Sequence, residues 1–352
     1  MYIDYCFNIF IWLLLIVLNL NVLVPSFPKV TNSYKMFFIL VVMFATFGFI
    51  TGDYFHYQEI FDSYAKYQEL EHVEPIYLSV AKFVGGNYTL WRLVVWTVAT
   101  LLYIFVMRQL KVTPSVASLC FALFTMFYFC SHRQTVAFCV VFLSICLFLS
   151  NSKSKLLKII AIAIFIASIF FHRSMVVYAF LFLLSLIPLN RYAYIVIICL
   201  YPLVSYLFSG VIGYASEGLI LDETLTENYI NSDMRVNTTI WGVVSNLITL
   251  TPIYILLLLA IYKTKFQAQK LPYVANVFLQ MSFWQIYLSA LFQNQDVSSF
   301  LAPRFREDSL MTLGIFYSVY LSTYTPTRKI KLFLWWLFVA NMYIYLYALY
   351  KI

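Results

Sequence analysis

The chain has 352 residues, 63% apolar and 11% charged, with a mean hydropathy of +0.84 and a formal net charge of +8. Soluble domains carry roughly 25% charged residues, so a soluble enzyme or binding module is excluded. The meaning that +8 would have for nucleic acid gives way to the question of where the charges lie.

Apolar runs of about 17–25 residues recur along the whole length, which is the signature of transmembrane helices. Backbone amides in hydrocarbon must be paired within their own segment, and the runs do not alternate as barrel strands would. Met1–Tyr5 lacks the positive region of a signal peptide, so the first run is kept as a span. About twelve spans are expected, near 6–24, 35–51, 90–107, 115–130, 134–150, 156–171, 174–188, 192–208, 241–261, 272–292, 308–325 and 332–350. The expected fold is an all-α polytopic membrane protein forming a single domain over 1–352, with two longer outer segments near 52–89 and 209–240.

Orientation follows from Lys and Arg in the short loops. One set of alternate loops carries Lys29 and Lys35, Arg108 and Lys111, Lys153 to Lys158, Arg191, Lys263 to Lys270, and Arg328 to Lys331. These loops are read as cytoplasmic, which puts both termini outside. Every acidic residue then falls on the outer side, from Asp4 through Asp53–Glu74 and Glu217–Asp233 to Asp308. In the first outer segment, Glu74-Pro75 opens the apolar run Ile76–Val84, which Gly85-Gly86-Asn87 closes. Proline suits a helix start. A run so short cannot cross a bilayer, so it is interfacial or re-entrant. The six cysteines lie in apolar segments without a CxxC pair and read as packing residues.

Ser131-His132-Arg133-Gln134 is a polar knot between two apolar runs, where a hairpin of membrane helices must turn. Arg92, Arg133, Arg173, Arg235, Arg304 and Arg306 all fall on the outer side, against the bias of the lysines. Charge near membrane depth usually faces protein or a water-filled cavity. Arginine offers a rigid fork for phosphate or carboxylate. The set therefore suggests an anionic ligand approached from outside; the plainer alternative pairs these arginines with the outer carboxylates. Asp53, His56 and Tyr57 would share one face of a helix and could serve acid–base chemistry or merely form a solvated helix end. Glu74 could bind sugar hydroxyls or cap the short helix.

His172-Arg173-Ser174 turns another outer hairpin, and Arg304 and Arg306 enter the eleventh span from the same side. His72 between Glu71 and Glu74 matches no strong metal pattern. There is no Walker A loop, GxGxxG or GxSxG. Asn87-Tyr88-Thr89 and Asn237-Thr238-Thr239 match a glycosylation sequon of little weight alone.

The ordered set Gly52-Asp53-Tyr54 with Tyr57, Glu74-Pro75-Ile76-Tyr77, an aromatic before Arg92, Arg133-Gln134 with Ala137, and Phe171-His172 with Ser174 resembles the EpsG family, which groups with Wzy-type bacterial polysaccharide polymerases. The ordered motifs cover roughly residues 50–180, and the rest matches in hydropathy and in the late arginines. The resemblance implies a GT-C-like glycosyltransferase in the bacterial cytoplasmic membrane, acting on its outer face without metal, nucleotide or other cofactor. Its substrates would be oligosaccharides on undecaprenyl diphosphate, serving O-antigen, capsule or exopolysaccharide synthesis. Whether a chain-length regulator binds is left open. Under this reading Arg133 and Arg304 or Arg306 take the diphosphate, assisted by Arg92. Asp53, Glu74 and His172 are candidates for the base, with His56, Tyr57, Gln134, Arg173 and Ser174 near the substrate. A transporter or flippase of lipid-linked sugars is the first rival, opposed by only nine glycines and few polar residues mid-span. A membrane O-acyltransferase is the second rival, and a non-catalytic assembly partner the third.

Overall fold

A computed structural model describes residues 2–28, 32–47, 58, 75–126, 132–150, 154–172, 175–207, 240–293 and 301–351. Helical backbone occupies the place of each of the twelve expected spans, and no strand occurs among the described residues. Among the described residues, three helices are long and apolar enough to cross a membrane by length and composition: Tyr88–Gln109, Ile248–Phe266 and Arg328–Leu346. The chain divides into two compact units, one of residues 1–180, 317–331 and 338–352, the other of 181–316 and 332–337.

The first unit contains α1 (Tyr2–Leu18), α2 (Tyr34–Phe47), α3 (Pro75–Phe83), α4 (Tyr88–Gln109), α5 (Pro114–Cys120), α6 (His132–Phe148) and α7 (Lys155–Phe171). Helix starts follow local chemistry. Pro75 and Pro114 open α3 and α5, where a missing N–H costs nothing. Asn87 and Ser154 cap α4 and α7 by accepting from Leu90 N and Leu157 N at 3.0 and 3.3 Å. α3 ends where the chain reverses at Gly85 and Gly86, both with positive φ (61° and 80°), a geometry glycine takes without steric cost. So the short run after Glu74 forms one short helix, too short to span.

α6 packs most extensively on α7, while α4 packs on both α2 and α6. Lipid tails are as apolar as leucine, so close packing and hydrogen bonds must hold such helices together. Phe37, Tyr103 and Phe121 supply that packing, with centroids of 5.2 Å for Phe37–Phe121 and 5.0 Å for Tyr103–Phe121. Beyond α5 the helix widens into a π turn, Phe121–Thr125. Trp12 Nε1 donates to Ala122 O at 2.9 Å and Asn341 Nδ2 to Leu123 O at 2.7 Å, engaging two carbonyls of that turn. Cys120, Cys139 and Cys146 are buried packing residues, whereas Cys6 and Cys199 are exposed on the helix surfaces; Cys130 lies outside the described residues.

α8 (Met175–Leu186) begins in the first unit and ends in the second. The second unit continues with α9 (Arg191–Cys199), more helix over 201–207, α10 (Ile240–Ile261) and α11 (Tyr273–Gln293). α12 (Leu301–Thr323) runs through residue 316 of the second unit into the first, and α13 (Arg328–Lys351) closes the chain. Asn190 caps α9, accepting from Tyr192 N and Ala193 N at 3.0 and 2.9 Å. α10 contains Pro252 and ends in a second π turn, Tyr262–Phe266. Gln280 of α11 donates to Ser185 O at 3.1 Å and accepts from Leu189 N at 3.2 Å, tying α11 to the turn after α8.

Candidate functional site

In the first unit, α3 seats three separated sequence segments against one another. The Tyr77 ring is buried, 6.0 Å from Trp91 of α4 and 6.4 Å, edge-on, from Phe171 at the end of α7. Trp91 Nε1 donates to Tyr77 O at 3.2 Å, and Tyr88 stacks on Trp91 at 5.7 Å. Beside Trp91, Arg92 is buried, donates from Nη2 to the Ala45 carbonyl of α2, and holds its guanidinium 5.9 Å from the Tyr88 ring centroid. A cation at this depth needs such partners, and a backbone carbonyl is among the commonest.

His172 caps α7 in extended conformation. Its N–H donates to Ser168 O at 3.1 Å and its carbonyl accepts from Met175 N at 3.0 Å, leaving the residue half-buried at the helix end. The hairpin register then fixes what lies opposite. Ser144 Oγ of α6 donates to Ala161 O of α7 at 2.7 Å. Arg133 lies eleven residues before Ser144, and His172 lies eleven residues after Ala161. With a common rise of about 1.5 Å per residue in antiparallel helices, Arg133 and His172 stand at the same level. His132, Arg133 and Gln134 form the first turn of α6, the positive end of its dipole; their side chains lie outside the described residues. So do Asp53, His56, Tyr57, His72, Glu74, Arg173, Ser174 and Arg235.

In the second unit, the α11–α12 hairpin is closed by Phe292 stacked on Phe305 at 5.5 Å and by Ser289 Oγ donating to Ala302 O at 2.7 Å. Arg306 is half-buried one turn below, within electrostatic reach of Tyr254, and its carbonyl accepts from Ser309 Oγ at 2.6 Å. Nearby Tyr201 donates to Ala290 O at 2.8 Å and meets the Tyr287 ring edge-on at 5.7 Å. Asp308 is buried and Glu307 half-buried. The Arg304 side chain lies outside the described residues. Deeper in the hairpin runs a polar seam: the Ser282 and Thr312 hydroxyls are 2.7 Å apart, and Thr312 donates to Gln285 Oε1 at 2.7 Å. The Gln285 amide nitrogen has no hydrogen-bond partner among the described residues.

The EpsG family model matches residues 31–352. The chain belongs to the EpsG family. EpsG-like proteins are Wzy-type polymerases, so the family gives this membrane chain a glycosyltransferase-type role in polysaccharide polymerisation. No curated protein and no solved structure matches it.

Within this EpsG family chain the structure thus joins Pro75–Tyr77, Trp91-Arg92 and Phe171-His172, and it sets the Arg133 turn level with His172. Residue-type reasoning gave Tyr77, Trp91 and Phe171 no role. Their signal was present, since Trp91 and Phe171 adjoin the candidates Arg92 and His172, and Tyr77 lies three residues after Glu74. The seam residues Ser282, Gln285 and Ser289 were also missed, although their i, i+3, i+7 spacing puts them on one helix face. Polar residues mid-span are therefore more numerous than the sequence suggested: Gln280, Ser282, Gln285 and Thr312 are all buried.

Proposed function

We propose that this protein polymerises a surface polysaccharide at the outer face of the bacterial cytoplasmic membrane. It transfers a growing glycan from undecaprenyl diphosphate to a lipid-linked repeat unit, through a bundle of about twelve spans with both termini outside. The observation that carries the reading is the common level of Arg133 and His172 in the α6–α7 hairpin, beside the Tyr77–Trp91–Arg92–Phe171 cluster.

In the reaction, a hydroxyl oxygen of the acceptor bonds to the anomeric carbon of the donor. The bond from that carbon to the diphosphate oxygen breaks, and the hydroxyl proton passes to a protein base. Undecaprenyl diphosphate leaves with its added negative charge, which pre-set cations stabilise. Arg133, at the positive end of α6, is assigned to that diphosphate. Arg92 assists by holding α2 and α4 together beneath it. His172 is assigned as the base, with Asp53 and Glu74 as the other candidates. His56, Tyr57, Gln134, Arg173 and Ser174 are assigned to the glycan. Arg304 and Arg306 are assigned to anionic groups of the lipid-linked substrate. Charge neutralisation by arginine requires neither metal nor nucleotide.

The test is Arg133→Ala and His172→Ala in cells making the polymer. Both variants should abolish polymer while protein level and externally facing single repeat units persist. Normal chain-length ladders from both would overturn the assignment. Repeat units trapped on the cytoplasmic side would point to a flippase instead.

A further inference from the structure

Away from these groups, the second unit contains an apolar groove of about 370 Å³ between α9 and the end of α10, lined by Tyr194, Ile198, Leu258, Tyr262 and Phe266 among others. Its size falls within the roughly 300–1,000 Å³ typical of ligand sites. The open rim carries large apolar side chains, including Ile195, Leu258 and Tyr262. One end is basic. Arg191 opens α9 three residues before Tyr194, four before Ile195 and seven before Ile198, which places it on the helix face that lines the groove; its guanidinium lies over the exposed Tyr192 ring and donates to the Tyr192 hydroxyl at 2.8 Å. Lys263 and Lys265 lie in the π turn that ends the other wall.

These charges belong to one level of the molecule. The Tyr273 hydroxyl donates to Leu186 O at 2.9 Å, which joins the turn before Arg191 to the turn after Lys265. Lys265 is half-buried, and among the described residues no hydrogen bond or ion pair engages its ammonium. Among the described residues, Lys263 Nζ donates to the exposed Gln267 Oε1 at 2.7 Å.

We infer that the groove binds an anionic phospholipid, with an acyl chain along Ile198, Leu258 and Phe266 and the phosphate against Arg191, Lys263 and Lys265. An apolar trough that ends in three cations fits an apolar chain that ends in an anion, and basic pockets at the membrane boundary recognise such headgroups. The site is independent of the polymerase reading and uses none of its residues.

The experiment measures lipids retained by the purified full-length protein, by native mass spectrometry, after exchange with phosphatidylglycerol or phosphatidylcholine of the same acyl chains. Phosphatidylglycerol should be retained preferentially, with about a fivefold loss for each of Arg191→Gln, Lys263→Gln and Lys265→Gln. Leu258→Trp, or Ile198→Trp from the facing wall, should fill the groove and displace the lipid, with helix content and elution volume unchanged. Equal retention of the two lipids overturns the proposal. So does competition by inorganic phosphate as strong as that by the lipid, since the chain would then contribute nothing. A dimer blocked by Leu258→Trp would mean that a second copy covers the groove, and would also overturn it.

Discussion

The two units solve the same problem, a charged group near the end of a membrane hairpin, by different means. In the first, Arg92 and the α7 terminus are held by rings: Tyr77, Tyr88, Trp91 and Phe171 form a continuous aromatic wall. In the second, Arg306 lies between the Ser289–Ala302 contact and a deeper ladder of polar groups, Gln285, Ser282 and Thr312. A wall of rings contributes large contact areas and a fixed position. A ladder of hydroxyls contributes modest, directional bonds that can exchange partners. The first unit is thus built for position and the second for adjustable polar contact.

If the rings set position, removing the central one has the largest effect. Tyr77→Ala should cost about 3–5 kcal/mol, the range for emptying a buried aromatic site, and should lower both the thermal midpoint and the yield of folded protein. Tyr77→Phe, which keeps the ring contacts with Trp91 and Phe171, should retain most of that stability. A Tyr77→Ala protein that melts like the wild type would show that the wall does not bear on the fold.

Arg92 comes next, because its observed partner is the backbone of α2. Losing a buried charge-assisted hydrogen bond costs about 1.5–3 kcal/mol, so Arg92→Gln should lower the thermal midpoint clearly. Arg133→Gln should leave it close to the wild type while polymer is lost. The reverse pattern, a stable Arg92→Gln protein without polymer, would move Arg92 from holding helices to binding phosphate.

The helix positions were legible in the sequence because apolar runs and their breakers are local signals. Pro75 before an apolar run and two glycines after it marked α3 as a short helix for the same reason. Arg133 and His172 were legible as hairpin residues on the same outer side, but the residue-by-residue match of their levels was not; it depends on the Ser144–Ala161 register, which no spacing encodes. The burial of Arg92 was not legible either. Its partner is the carbonyl of Ala45, and a carbonyl looks the same at every position of the chain. The π turns at 121–125 and 262–266 escaped because one extra residue per turn leaves hydropathy unchanged.

The smallest expected effect separates the two meanings of the second unit's ladder. As interhelical glue, a membrane hydrogen bond contributes only about 0.6 kcal/mol on average, so Thr312→Val should barely move the thermal midpoint. Gln285→Leu should be neutral or slightly stabilising, since it also removes an amide nitrogen that has no partner among the described residues. Those outcomes with normal polymer would make the ladder structural. If Gln285→Leu leaves stability intact but shortens the polymer, the amide nitrogen finds its partner in the substrate. Gln285→Glu then discriminates further: it keeps the size and the acceptor that Thr312 uses but replaces the NH₂ donor, so it should keep a sugar hydroxyl that can turn and donate to the new oxygen, and should lose, as leucine does, a sugar group that can only accept.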